Sequence, residues 1–251
     1  MNRYFEINEN NLNIRCKIYF SSLPAVRRAI VFGHGFAGHK DNKAAEKFAD
    51  RVLSKYKDVA VFTFNWPCHG DDVKKKLILS DCTTYLSLVV KAVREQYGAN
   101  ELYGYATSFG GYLFLKYIAE SGNPFRRISL RCPAVNMYSV LTDAIMKPEE
   151  QEKIRRGKEV MVGFDRKIAV NPQFLEDVKE KDIRQYDFLD FADDILILHG
   201  TKDEVVPFEE AKAFAENNVI EFVPVEDADH RFQNSLKMDA ALKAILDFFQ
   251  F

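Results

Sequence analysis

The stretch Leu102-Tyr103-Gly104-Tyr105-Ala106-Thr107-Ser108-Phe109-Gly110-Gly111-Tyr112 passes from strand to helix within three residues. Glu101 to Tyr105 has strand composition, and Tyr112 to Glu120 repeats apolar residues at helical spacing until Gly122 stops it. Ser108 falls at the tip of the turn. A chain that bends this sharply holds its tip residue in a strained conformation, and the side chains two before and two after must be small. Ala106 and Gly110 meet that need, and Gly111 lets the new helix approach the sheet. The pattern is G-x-S-x-G with its first glycine replaced by Ala106, so Ser108 is a candidate nucleophile. The competing reading makes Ser108 a plain helix N-cap, a position serine favours.

The chain on either side has the rhythm such an elbow requires. Leu12, Ile14, Cys16, Ile18 and Phe20 alternate with Asn13, Arg15, Lys17 and Tyr19, which predicts an antiparallel strand with one wet face. Ala29 to Phe32, Val59 to Phe64, Ile128 to Cys132, Ile195 to Leu198 and Ile220 to Val225 are short strand candidates, several apolar throughout. Helical spacing separates them over Ala45 to Tyr56, over Tyr85 to Tyr97 after an Asp81 cap, over Pro207 to Asn217 and over Leu236 to Phe249. Alternating strands and helices predict an α/β fold with a mainly parallel, doubly wound sheet. From Tyr138 to Phe191 no strand is evident, and Pro148, Pro172 and the charged run Glu149 to Arg156 suggest a largely helical insertion. The expected division is a core of residues 1–137 and 192–251 with an insertion over 138–191, able to cover the carboxyl ends of the strands.

Three further segments end predicted strands. After Ala29 to Phe32 comes Gly33-His34-Gly35-Phe36-Ala37-Gly38, a loop able to turn backbone N–H groups toward a ligand. Acyl transfer needs two such donors on the developing oxyanion; Phe36 and Phe109 are the candidates. His34 reads as a loop brace that also borders the substrate. Asp203 follows Ile195 to Leu198 in His199-Gly200-Thr201-Lys202-Asp203-Glu204-Val205-Val206-Pro207, with Glu204 as the alternative acid. His230 follows the last strand in Asp227-Ala228-Asp229-His230. The chain order Ser, Asp, His fits an acid–base relay. His69 reads as a turn former, His199 as packing below the site and His39 as solvated. No pair of His or Cys has zinc-ligand spacing, so neither a metal nor another cofactor is expected.

Taken together, His34-Gly35-Phe36, the His69-Gly70 turn, Ala106 to Gly111, His199-Gly200 with Asp203 and Val206-Pro207, and Ala228-Asp229-His230 resemble the α/β-hydrolase superfamily. The resemblance spans nearly the whole chain. Its nearer likeness is to the serine aminopeptidase-like branch with bacterial cinnamoyl (feruloyl) esterases and monoacylglycerol lipases. It implies an eight-stranded sheet with a cap inserted before the strand leading to Asp203, which residues 138–191 match in position. In the esterase branch the cap helps recognise an aromatic acyl group, a role Phe164, Phe174, Tyr186 and Phe188 could fill. Ala106 and Thr107 depart from a usual Gly and a frequent His without removing a catalytic atom.

The implied activity is hydrolysis of a small-molecule carboxylic ester, aromatic or short in its acyl part, through an acyl-enzyme. Amide, peptide, thioester or lactone hydrolysis on the same residues is the first alternative, and a non-catalytic ligand-binding protein the second. A haloalkane dehalogenase would carry Asp, not Ser, at the elbow.

Bulk properties agree with that class. In 251 residues, 47 % hydrophobic, 35 basic side chains face 37 acidic ones for a net charge of −2, which argues against nucleic acid as the main partner. Cys16, Cys68, Cys82 and Cys132 form no C-x-x-C pair and read as free thiols of a reducing compartment. With neither a signal-like start nor a long apolar run, the expectation is a cytoplasmic protein without a membrane span. Oligomeric state is open, a homodimer being one option.

Overall fold

The chain begins as an antiparallel hairpin, β1 (Asn2–Glu9) on β2 (Leu12–Phe20), in a computed structural model that describes residues 1–251. The alternating units follow: β3 (Arg28–Gly33), α1 (Lys43–Lys55), β4 (Val59–Phe64), α2 (Leu79–Tyr97), β5 (Glu101–Thr107), α3 (Phe109–Ser121) and β6 (Arg127–Arg131). The next segment holds the short α4 (Met137–Ser139), a π-helical turn over Val140–Ile145, α5 (Pro148–Arg155), β7 (Val160–Val162), β8 (Ile168–Val170) and α6 (Pro172–Glu180). The chain closes with β9 (Ile195–Gly200), α7 (Phe208–Asn217), β10 (Glu221–Val225) and α8 (Ser235–Phe249).

Eight strands form one sheet in the order β1-β2-β4-β3-β5-β6-β9-β10, parallel from β4 to β10, with β2 antiparallel to β4. The sheet is covered on both faces because its strands are apolar at successive positions. Ala29 and Val31 of β3 pack into one core with Tyr85 and Val89 of α2 and Leu113 of α3. Ile30 and Phe32 pack into the other with Phe48 and Val52 of α1 and Ile245 of α8. No helix is long and apolar enough to cross a membrane.

Three expectations need correction. β1 was not anticipated: only Ile7 of its eight residues is buried, so it lacks a period-two face and is held by pairing with β2. Helix α2 begins at Leu79, with Asp81 inside its first turn instead of capping it. The segment before β9 contains an antiparallel hairpin, β7 on β8, whose three-residue strands are too short to show a period.

Candidate active site

Ser108 has φ 52° and ψ −117°, a conformation that costs an L-residue free energy. Neighbours over-determine it. Its N–H donates to the Arg131 carbonyl at 3.0 Å, and its own carbonyl accepts from Tyr112 and Ala134 at 3.1 and 3.2 Å. Its hydroxyl makes no capping bond to α3, so the plain N-cap reading fails. The small residues around it serve two purposes. Ala106 is buried at the end of β5. A Cβ on Gly110 would lie 2.6 Å from the Gly33 carbonyl oxygen and 2.7 Å from that of His34. Gly110 therefore makes room for the loop after β3, which can then reach Ser108: a Cβ on Gly35 would sit 3.3 Å from the Ser108 Cβ.

That loop is braced from below. The His34 ring is buried, with Nδ1 2.8 Å from the Gly35 carbonyl and Nε2 3.4 Å from the Trp66 N–H. Nδ1 therefore carries the proton and Nε2 accepts. Trp66 Nε1 donates to the His34 carbonyl at 2.8 Å. His69 stacks on Phe109 with ring centroids 5.9 Å apart and meets the Phe36 ring edge-on at 5.5 Å. Burial, then the neighbouring His69, keep His34 well below the usual imidazole range; burial alone brings His69 down to about 4. Both rings are neutral supports. The Phe36 N–H has no acceptor among the loop hydrogen bonds, and the Phe109 N–H is one of the unfilled donors that begin a helix.

Asp203 and His230 meet after β9 and β10. A Cβ on Gly200 would stand 2.2 Å from the Ala228 carbonyl oxygen, so only glycine lets these two loops touch. His230 Nδ1 lies 2.8 Å from Asp203 Oδ2, while Asp203 Oδ1 accepts from the amides of Val205 and Val206 at 2.9 and 2.8 Å. His199 Nε2 reaches the same Oδ2 at 3.2 Å and the Val206 carbonyl at 3.1 Å. Burial raises the Asp203 carboxyl, but the bonds from His199 and His230 outweigh it and hold the group well below the ordinary carboxylate range. A fixed carboxylate on Nδ1 makes that nitrogen the protonated one and leaves Nε2 free to accept a proton. Glu204 instead accepts from the backbone N–H of His230 at 3.3 Å.

Ser108 and His230 line one cleft of about 580 Å³ without a direct hydrogen bond between them. His34, Phe36 and the exposed Phe164 share the lining. Phe174 does not: it is buried against Phe109, and Phe188 is buried against Phe214, so both are core residues and not substrate walls. His39 borders the cleft half-buried instead of standing free in solvent. The donor atoms of Cys132, Asp203 and His230 lie within 4.8 Å of one another. Burial, then the Asp203 charge, push the Cys132 thiol well above its usual range, which disfavours the thiolate a metal would need.

Two contributors went unread in the sequence. His199 bonds Asp203 directly, and Arg131 links Ser108 to His230: its carbonyl takes the Ser108 N–H while its Nη1 donates to the His230 carbonyl at 3.1 Å. The spacing of His199 four residues before Asp203 held the signal for the first. An arginine at the end of a strand carries no comparable mark.

A sheet of this order, with a serine elbow after β5 and an Asp–His pair after β9 and β10, defines an α/β-hydrolase. The sequence profile of the prolyl oligopeptidase family matches residues 64–251, and the chain belongs to that family. No curated protein matches it in sequence. Among solved structures it is similar to Est1E from Butyrivibrio proteoclasticus with ferulic acid bound, at 18 % identity and TM-score 0.79 over 98 % of this chain and 100 % of that one. It is also similar to a soluble variant of monoglyceride lipase from Saccharomyces cerevisiae, at 12 % identity and TM-score 0.75 over 100 % of this chain and 94 % of that one. An esterase from Pyrococcus furiosus aligns at 14 % identity and TM-score 0.72 over 100 % of this chain and 92 % of that one.

Proposed function

We propose that this protein hydrolyses small carboxylic esters through an acyl-enzyme, with Ser108 as nucleophile, His230 as base and Asp203 orienting it. The observation that carries the reading is the strained Ser108 in one cleft with a His230 whose Nδ1 is bound to a buried carboxylate. His230 Nε2 takes the hydroxyl proton as Oγ attacks the carbonyl carbon. The N–H groups of Phe36 and Phe109 receive the oxyanion. Collapse breaks the bond to the alkoxide, which leaves with the proton from His230. Water repeats the sequence and frees the acid. Residues 138–191 act as the cap, and Phe164 and Phe36 offer aromatic surface to the acyl group.

Ser108→Ala is expected to lower kcat on p-nitrophenyl butyrate by about 10⁶-fold. A fluorophosphonate probe should label the parent at Ser108 and leave the variant unlabelled. A fully active, purified variant would refute the assignment. Family membership favours peptide hydrolysis as a second reading. A prolyl p-nitroanilide run beside the ester separates the two.

A further inference from the structure

The cleft's charge does not follow the chain's. The protein carries −2, yet the fully charged side chains in the cleft lining are Lys43, Arg131, Arg166 and Arg231 against Asp165 alone. Asp165 is engaged by Arg231 at 3.0 Å. Lys43, Arg131 and Arg166 have no ion-pair partner, and the last two stand at opposite depths: Arg166 is exposed and Arg131 only 7 % exposed.

Arg131 is the decisive one. Its Nη1 holds the His230 carbonyl and its guanidinium lies 5.0 Å from the Phe232 ring centroid. Its Nε is buried without an acceptor. Against burial, the Tyr105 hydroxyl is the neighbour that most favours its charge; Asp203 adds less and forms no ion pair with it, being engaged by two imidazoles and two amides. With Nη1 engaged and Nε sealed from solvent, Nη2 is the nitrogen left to meet a carboxylate, through a single charge-assisted bond. Arg166 bears on the same space: after burial, its charge is the next influence lowering the half-buried His39 on the cleft wall. The cleft also receives the start of α1 at Lys43 and Ala44, where the helix end favours negative charge.

We infer that the substrate is an ester bearing a second, ionised carboxylate, drawn in by Lys43 and Arg166 at the rim and received by Arg131. This rests on the acyl-transfer reading above and adds the substrate's charge to it. Arg166 and Lys43 act before contact, since a one-signed cleft raises the local concentration of an oppositely charged ligand.

The test compares esters matched in size and differing in charge. On the acyl side these are p-nitrophenyl heptanoate and the mono-p-nitrophenyl ester of heptanedioate. On the alcohol side they are 3-ethylphenyl acetate and 3-(carboxymethyl)phenyl acetate. In at least one pair the anionic member should have a kcat/KM about tenfold higher or more at low ionic strength, and that ratio should shrink as salt is added. Arg166→Gln with Lys43→Gln, both at exposed positions, should lower the ratio several-fold, and heptanedioate should inhibit more strongly than heptanoate. Arg131→Gln should lower the ratio further; if that chain does not fold, the exposed pair still decides. A ratio at or below one in both pairs overturns the inference while leaving ester hydrolysis intact. Failure to cleave any of the four, with no labelling of Ser108, overturns both.

Discussion

Ser108 stands where a helix cap would stand, yet its hydroxyl caps nothing and its φ is 52°. Strain of this kind persists only when surroundings impose it, and here the carbonyl of Arg131 and the amides of Tyr112 and Ala134 do so. Gly110 is the residue on which the site's geometry turns. Gly110→Ala would drive a methyl into the carbonyls of Gly33 and His34, both backbone groups, and push the loop carrying Phe36 off Ser108. Loss of one oxyanion donor costs about 10²–10³ in kcat, and a similar fall is expected for this variant with labelling of Ser108 retained. Unchanged kcat would separate that loop from the chemistry. Asp203→Asn should cost on the order of 10⁴ in kcat by turning the wrong tautomer toward Ser108, measurable on the same ester. These residues were legible because each sits at the end of an apolar strand beside a small or turn-forming neighbour. Arg131 was not, because its role comes from where β6 stops, and nothing in Arg127 to Arg131 records which carbonyl it will meet.

At the scale of elements, apolar burial decided what could be read. Of the strands covered on both faces, β3, β4 and β9 announced themselves as runs of four or more consecutive apolar residues, while β5 and β6 interleave apolar residues with glycine or polar ones. β1 and the β7–β8 hairpin are exposed or three residues long, so their stability comes from pairing and leaves no period. Aromatic content misled in the same segment: Phe164 and Phe174 look alike in sequence, yet one is 52 % exposed at the cleft and the other 1 % exposed in the core. The two alanine variants should part accordingly. Phe174→Ala is expected to lose about 3–5 kcal/mol of stability through a core cavity, seen in urea unfolding. Phe164→Ala should shift stability by about 0.5 kcal/mol or less and raise KM several-fold for aromatic acyl esters. Equal destabilisation by both would mean that the hairpin packs as core and not as a cleft wall.

For the whole molecule, the buried ionisable groups set a pH window. His34 and His69 are neutral in the folded chain, both below the ordinary value of 6.5, His69 at about 4. The unfolded chain binds those protons first, so stability is complete above about 6.5 and drains away as the pH falls toward 4. For His69 the interval amounts to roughly 3 kcal/mol. Asp203 acts lower: held below its ordinary 3.8, its contribution is present above that value and is lost as the pH falls further. Buried thiols close the alkaline side. Burial raises Cys82 and Cys132 well above 9.0, so the unfolded chain gives up those protons first and stability declines above about 9. Melting temperature should therefore be flat between about 6.5 and 9 and fall on either side. His69→Gln should flatten the acid limb between 6.5 and 4, because glutamine can keep the bond to the Pro67 carbonyl without a proton to take up. Calorimetry across that range decides it: an acid limb as steep in the variant as in the parent would place the pH dependence elsewhere than in the ring beneath Phe36 and Phe109.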